Sequence, residues 1–134
     1  MHESALLKLP PSVRGLARQE AEALLGEVSG VAAVVVATVD GFEVGSAVRN
    51  GLDVSRVAAL ASSIAAIGEV VSGEARLGAS RSITVNTESG FAVVHSAPRR
   101  DLGLVINIIS GSDAVLAQVN WRAAAMARRL EAAE

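Results

Sequence analysis

The residues able to do chemistry are few. His2 and His95 are the only histidines, Lys8 is the only lysine, and the chain has no cysteine. Two histidines without thiolates cannot make a typical zinc site unless several carboxylates join them, and no carboxylate spacing supplies these. Ser96, His95 and Asp101 spell a hydrolytic triad on paper, but adjacent strand side chains point to opposite faces, so Ser96 and His95 diverge. A hydrolase built on Ser96 or Asp101 ranks last among the readings, and His95 is read as structural. Gly73, Gly78, Ala79 and Ser80 keep the glycine spacing of a phosphate-binding loop. The lysine position is Ala79, however, and the segment leads from a helix into a strand, the reverse of what that loop requires. No catalytic residue, no metal site and no cofactor is expected.

The elements that would position these residues follow from periodicity. Residues 1–11 read as a tail ending in Pro10 and Pro11, residues 12–131 as one domain, and residues 132–134 as a short C-terminal tail. Ser12 is a candidate cap for a first helix with Val13, Leu16, Ala17, Ala21, Leu24, Leu25 and Val28 at helical spacing. Val31 to Val39 is a nearly continuous β-branched run, as expected of a central strand covered on both faces. Asp40 and Gly41 predict a two-residue type I′ hairpin into Phe42 to Arg49, an alternating strand suited to a sheet edge. Asn50 and Gly51 turn the chain again, and Asp53 caps the longest helix. Arg81 to Glu88, Phe91 to Ala97 and Leu102 to Ile109 are three further strands, the last nearly continuous in apolar residues. Ser110 to Asp113 offer caps for a final helix, with Val115, Val119, Met126 and Leu130 inward and Arg128 and Arg129 near its end. The order is α-β-β-α-β-β-β-α: an α/β (α+β) fold with a five-stranded, mainly antiparallel sheet, the terminal helices on one face and the middle helix on the other.

Composition narrows the partners. Apolar residues form 51% of the 134 and charged residues 19%, with a net charge of −2; the mean hydropathy is +0.43 and the pI about 5.7. One domain fits this length, and the apolar excess points to buried protein interfaces. Eleven arginines scattered along the chain make no basic stripe, and Phe42, Phe91 and Trp121 are the only aromatics, so nucleic acid is an unsuited partner. The longest unbroken apolar run, Val31 to Ala37, falls short of the roughly 20 residues of a membrane span, and the first nine residues lack a secretory pattern. A cytoplasmic protein without a membrane span is expected. The arginine excess and alanine richness suggest a GC-rich bacterial genome.

The most informative surface is on the middle helix. A wheel at about 100° per residue gathers Val54, Val57, Leu60, Ala61, Ile64, Ile67 and Val71 into an arc facing the sheet. The opposite side carries Ser55, Ala59, Ser62, Ser63, Ala66 and Val70, and Arg56 and Glu69 are the only charges from Val54 to Val71. So low and uncharged a face suits close approach of another helix. GC-rich coding and high helix propensity could also produce it, but the strand after it favours the interface. Arg81, Ile83, Val85 and Thr87 lie on a β-branched, proline-free strand that makes a poor unprotected edge. A two-fold dimer joining these strands and packing the two middle helices together resolves both liabilities. Trp121 is a candidate partner anchor, with core packing the preferred role, and Arg99, Arg100 and Asp101 form a loop that could grip an acidic partner, with a solvated turn the preferred reading.

Taken together, GVAAVVVATVDGFEVGSAV, the alanine-rich helix after Asp53, SITVNTESGFAVVHSA and LGLVINIISGSDAVLAQVNWRAAAMARRL resemble the Roadblock/light-chain-7 family over about Gly15 to Leu130. The resemblance implies a profilin-like fold, a homodimer whose sheets join edge to edge, and a partner or regulator of small Ras-like GTPases, as in bacterial polarity and gliding switches. It also implies association with a sensor kinase complex and recruitment to the membrane through partners. Such proteins act by fixing the GTPase's switch elements and need not contribute a catalytic arginine. Arg56 is the candidate contact to a partner docked across the dimer. The alternatives are a profilin-like small-molecule sensor, whose sheet would hold a polar-lined cavity, and a structural adaptor like the dynein light chains.

Overall fold

The β-branched runs form the middle of the sheet. In the computed structural model, which describes residues 8–49 and 51–134, the elements are α1 (Pro11–Glu27), β1 (Val31–Thr38), β2 (Glu43–Val48), α2 (Val54–Glu74), β3 (Ser82–Thr87), β4 (Gly90–Ala97), β5 (Leu104–Gly111) and α3 (Leu116–Ala132). His2, most of the leading stretch and the Asn50 turn position lie outside the described residues. The element order is the expected one. The strands form one sheet in the order β2-β1-β5-β4-β3, every neighbour antiparallel. β1 and β5 sit inside it, and β2 and β3 are its edges.

Alternation along the strands divides the core in two. On one face Val34, Val36, Val93, Leu104, Ile106 and Ile108 pack against Val13, Ala17, Ala21 and Leu24 of α1 and Val119, Ala123, Met126 and Leu130 of α3; Leu9 is buried with them. On the other face Val35 and Ala37 lie beneath Val57 and Ala58 of α2, and Val94 and Val105 beneath Ala61. The helices therefore cover both faces as expected, α1 and α3 on one and α2 on the other.

Several local expectations are corrected. α1 begins at Pro11 without a side-chain cap, because proline's fixed φ suits the first helical position and its missing N–H is one that would have no partner there. Ser12 instead donates to the Glu134 carbonyl over 2.7 Å. The Asp40–Gly41 turn is not type I′, since Gly41 has φ +94 but Asp40 is not positive. The Thr38 carbonyl accepts from Gly41 N–H, Thr38 N–H donates to the Phe42 carbonyl, and Thr38 Oγ1 accepts from Phe42 N–H. Phe42 is thereby held in the loop, and β2 starts one residue later. β5 runs through Gly111, so α3 starts after Val115 with no side-chain cap, and Val115 is exposed rather than inward. Asp53 caps α2 as expected, accepting from Arg56 N–H.

Candidate interaction surface

α2 is seated on the sheet by its small residues. Ala58 and Ala61 are fully buried with Val57, Ser72 is buried, and Val54, Ile64, Ala65 and Gly68 are half-buried. Leu60, Ile67 and Val71, which the wheel placed toward the sheet, are 54%, 63% and 58% exposed. The cause is the close approach at Gly68. A Cβ on Gly68 would stand 2.5 Å from Ile83 Cδ1 and 2.8 Å from Ser80 Oγ, so the helix rides too low over β3 for larger side chains to fit beneath it. Hydrophobic spacing alone cannot tell this arc from one rotated by a single residue.

The result is an apolar flank open to the surroundings. Leu60, Ile67, Val70 and Val71 are exposed along α2, Leu77 just beyond it, and Val85 on the adjoining strand. Of the residues expected at an interface, Ser55, Arg56, Ala59, Ser63, Ala66, Glu69 and Val70 are exposed on α2, and Arg81, Val85 and Thr87 on or beside β3; Ser62 and Ile83 are half-buried. That expectation omitted Leu60, Ile67, Val71 and Leu77, apolar side chains that are all more than half exposed. Ser62 Oγ and Ser63 Oγ both donate to the Ala59 carbonyl, so the serines on this side are satisfied within the helix. Glu69 accepts from Ser80 N–H at 3.2 Å, and the Arg56 guanidinium makes no ion pair among the described residues.

By length and composition α2 would also pass for a membrane-crossing helix, with 21 residues and a mean hydropathy of 1.5. In the fold it lies along the sheet, with Val57, Ala58 and Ala61 covered by strands. Its apolar character is thus divided between a core side and an open side.

The other chemistry-bearing residues are held in structural roles. His95 is half-buried with Nδ1 3.0 Å from the Ser96 carbonyl. Among the described residues no group of three or more His, Asp or Glu could hold a metal ion. The Arg99 turn is not simply solvated: its side chain is 6% exposed and grips Asp101 at 2.8 Å. The same side chain donates to the Leu130 and Ala133 carbonyls, closing the end of α3. Donation from Arg99 holds the Asp101 carboxyl below its ordinary range, and Asp101 in turn raises Arg99. Trp121 is not in the core; it is 71% exposed on α3, while Arg122 beside it is buried. Arg122 bonds Glu20 at 3.3 Å and Glu27 at 3.0 Å, and Arg129 bonds Glu20 at 2.9 Å, tying α3 to α1. Sequence reasoning missed this network. Its signal was a carboxylate inside the stripe Ala17, Ala21, Leu24 and an arginine inside Val119, Ala123, Met126.

This architecture is that of solved Roadblock/LC7 domains. One from Streptomyces avermitilis aligns with a TM-score of 0.77 at 19% identity, covering 84% of this chain and 92% of that one. MglB in a tetrameric arrangement aligns at 0.78 and 17% identity, over 92% of this chain and 90% of the other. The gliding protein MglB of Thermus thermophilus aligns at 0.74 and 15%, over 92% and 93%. No protein-family model matches the sequence, and no curated protein matches it. At these identities the likeness is one of fold: the chain has the Roadblock/LC7 fold, a profilin-like sheet with helices on both faces.

Proposed function

We propose that this chain is a non-catalytic homodimeric regulator or scaffold that binds a Ras-like small GTPase and modulates its nucleotide cycle. The observation that carries the reading is the open apolar flank of α2, Leu60, Ile67, Val70 and Val71, beside the edge of β3, which is unpaired among the described residues. Contiguous apolar side chains next to a free strand edge are what a second copy would cover, extending the sheet across the two-fold and packing helix on helix. Likeness to MglB, one structure of which has a tetrameric arrangement and another of which is of a gliding protein, supports assembly and a signalling role. Arg56, exposed and without an ion pair among the described residues, is the contact offered to the GTPase, which would be met in the cytoplasm or at a membrane reached through partners such as a sensor kinase complex.

Light scattering should give twice the subunit mass, and the GTP hydrolysis rate of a co-encoded small GTPase should change when this protein is added. A mass of one subunit at high concentration, or a hydrolysis rate and nucleotide-exchange rate both unmoved at saturating protein, would discard the reading. Arg56→Ala should weaken GTPase binding without altering the mass.

A further inference from the structure

The large and small residues of α2 are interleaved with a fixed offset. Four large side chains, exposed or half-buried, each stand one position before a seated small one: Leu60 before Ala61, Ile64 before Ala65, Ile67 before Gly68, Val71 before Ser72; Val54 and Val70 fall outside the pattern. One position is about 100° of rotation in an α-helix, so a single such rotation about its axis exchanges the whole set. We propose that α2 has two seats on its own sheet. With a second copy bound it lies on its small residues, and in the separated subunit it rotates by one position to lay Leu60, Ile64, Ile67 and Val71 against the strands. This rests on the dimer proposed above.

The attachments of the helix permit the exchange. The Ser62, Ser63 and Ser72 hydroxyls donate to carbonyls of α2 itself, and Glu69 accepts from the turn that follows, so the described side-chain hydrogen bonds of the helix do not anchor it to a strand. Contact with the sheet is apolar and non-directional. Beyond the helix, Arg76 at φ 55 and Gly78 at φ +86 form a short exposed joint able to absorb a change of one residue. The floor is also not fully matched to the present seat. Asn107 is buried on β5 between Val35 and Val94, both under α2, and its Oδ1 has no hydrogen-bond partner among the described residues. A helix lifted by larger side chains opens room beside that oxygen for water. The driving force is burial of three side chains now more than half exposed. Opposing it is the loss of close packing at Gly68, which a twin on the open flank reinforces. Association and helix rotation are therefore linked, each shifting the other.

The absence of native cysteine allows single thiols to report the seat. Leu60→Cys and Ala61→Cys are labelled with a thiol reagent at high concentration, and again in a Val70→Glu background that separates the copies, Val70 belonging to neither seat. The two-seat helix predicts that separation speeds labelling at 61 by at least tenfold while 60 stays protected. A rigid helix gives the reverse, with 60 reactive and 61 protected, and would overturn the proposal. Val34→Cys in the other core reports global unfolding and should not change; if it rises in step with 61, the labelling is unfolding and the proposal fails. Should either thiol variant not fold, Ile67→Cys and Ala65→Cys carry the same comparison. A mass of one subunit at every concentration refutes the dimer, while the relative labelling at 60 and 61 still decides whether the separated chain uses the second seat.

Discussion

At the scale of single residues, the end of α2 shows what spacing cannot. Gly73 and Gly78 bracket the helix end in sequence, yet the left-handed position that closes it is Arg76. Leu77 N–H bonds the Ser72 carbonyl and Arg76 N–H the Gly73 carbonyl, the paired bonds of a Schellman close. A left-handed arginine costs about 1–2 kcal/mol, partly offset by the entropy glycine loses on folding, so Arg76→Gly should stabilise the fold by about 0.5–1 kcal/mol in urea unfolding. Charges inside apolar stripes are a second residue-scale effect. Removing the shared carboxylate with Glu20→Ala leaves Arg122 with only Glu27 and should cost about 3 kcal/mol. Glu22→Ala, which breaks the exposed pair to Arg18, should cost less than about 0.5 kcal/mol. Equal losses would mean that the buried network is no more than a surface pair. Asp101 supplies a pH test. Its carboxyl is lowered in the fold by Arg99, so its contribution is complete above the ordinary carboxylate range and is lost as pH falls through the lowered folded-state value. The urea midpoints of the wild type and Asp101→Asn should differ at pH 7 and converge on acidification. The roles of Arg99, Arg122 and Trp121 were not legible in advance, because nothing in sequence spacing says which charged or aromatic side chain meets a helix end, a buried partner or water.

At the scale of elements, nearly everything with a strong period was legible among the described residues: three helices, five strands, their order and the interior places of β1 and β5. Two β-branched runs covered on both faces leave few alternatives for the middle of a sheet. What failed were closures and rotations, which depend on contacts between elements. The Asp40–Gly41 loop is set by Thr38 bonding on both sides of it, and the seat of α2 by the clearance at Gly68. A similar clearance fixes α1. A Cβ on Gly45 would stand 2.7 Å from Arg18 N and 3.1 Å from the Ala17 carbonyl carbon, backbone atoms of α1 that cannot swing aside. Gly45→Ala must therefore push the helix off β2, at a cost of about 1–3 kcal/mol for overpacking. Gly26→Ala, at a helix glycine with nothing within 4 Å, should be neutral or slightly stabilising. A Gly45→Ala variant as stable as Gly26→Ala would mean that α1 is not held where this contact places it.

At the scale of the whole molecule, the sheet has two unlike edges and two unlike faces. β2 is an edge shadowed by α1 at Gly45, whereas β3 is an edge flanked by the open side of α2. On the opposite face, α1 and α3 are clasped by Glu20, Arg122, Glu27 and Arg129, while no clasp of that kind joins α2 to the sheet among the described residues. The asymmetry assigns stability to one face and association to the other. The sequence exposed the second role through the scarcity of charge on α2, but centred it about 100° away from the side chains with most apolar area. The two placements make different predictions. If the flank is the contact, Ile67→Glu should separate the copies, because a two-fold places the new charge in the interface twice. Losing about 2 kcal/mol of burial per copy raises the dissociation constant by about 10²–10³-fold before any charge repulsion is counted. Ile67 is 63% exposed in the present seat, so the urea midpoint of the isolated subunit should barely move if the helix keeps that seat and should fall if it has rotated to lay Ile67 on the strands. Ala59→Glu on the outer face would have the larger effect if the helices instead met along their serines and alanines. Sedimentation of the two variants side by side decides between the faces: loss of dimer in Ile67→Glu with retention in Ala59→Glu puts the contact on the flank, and the opposite order returns it to the outer face.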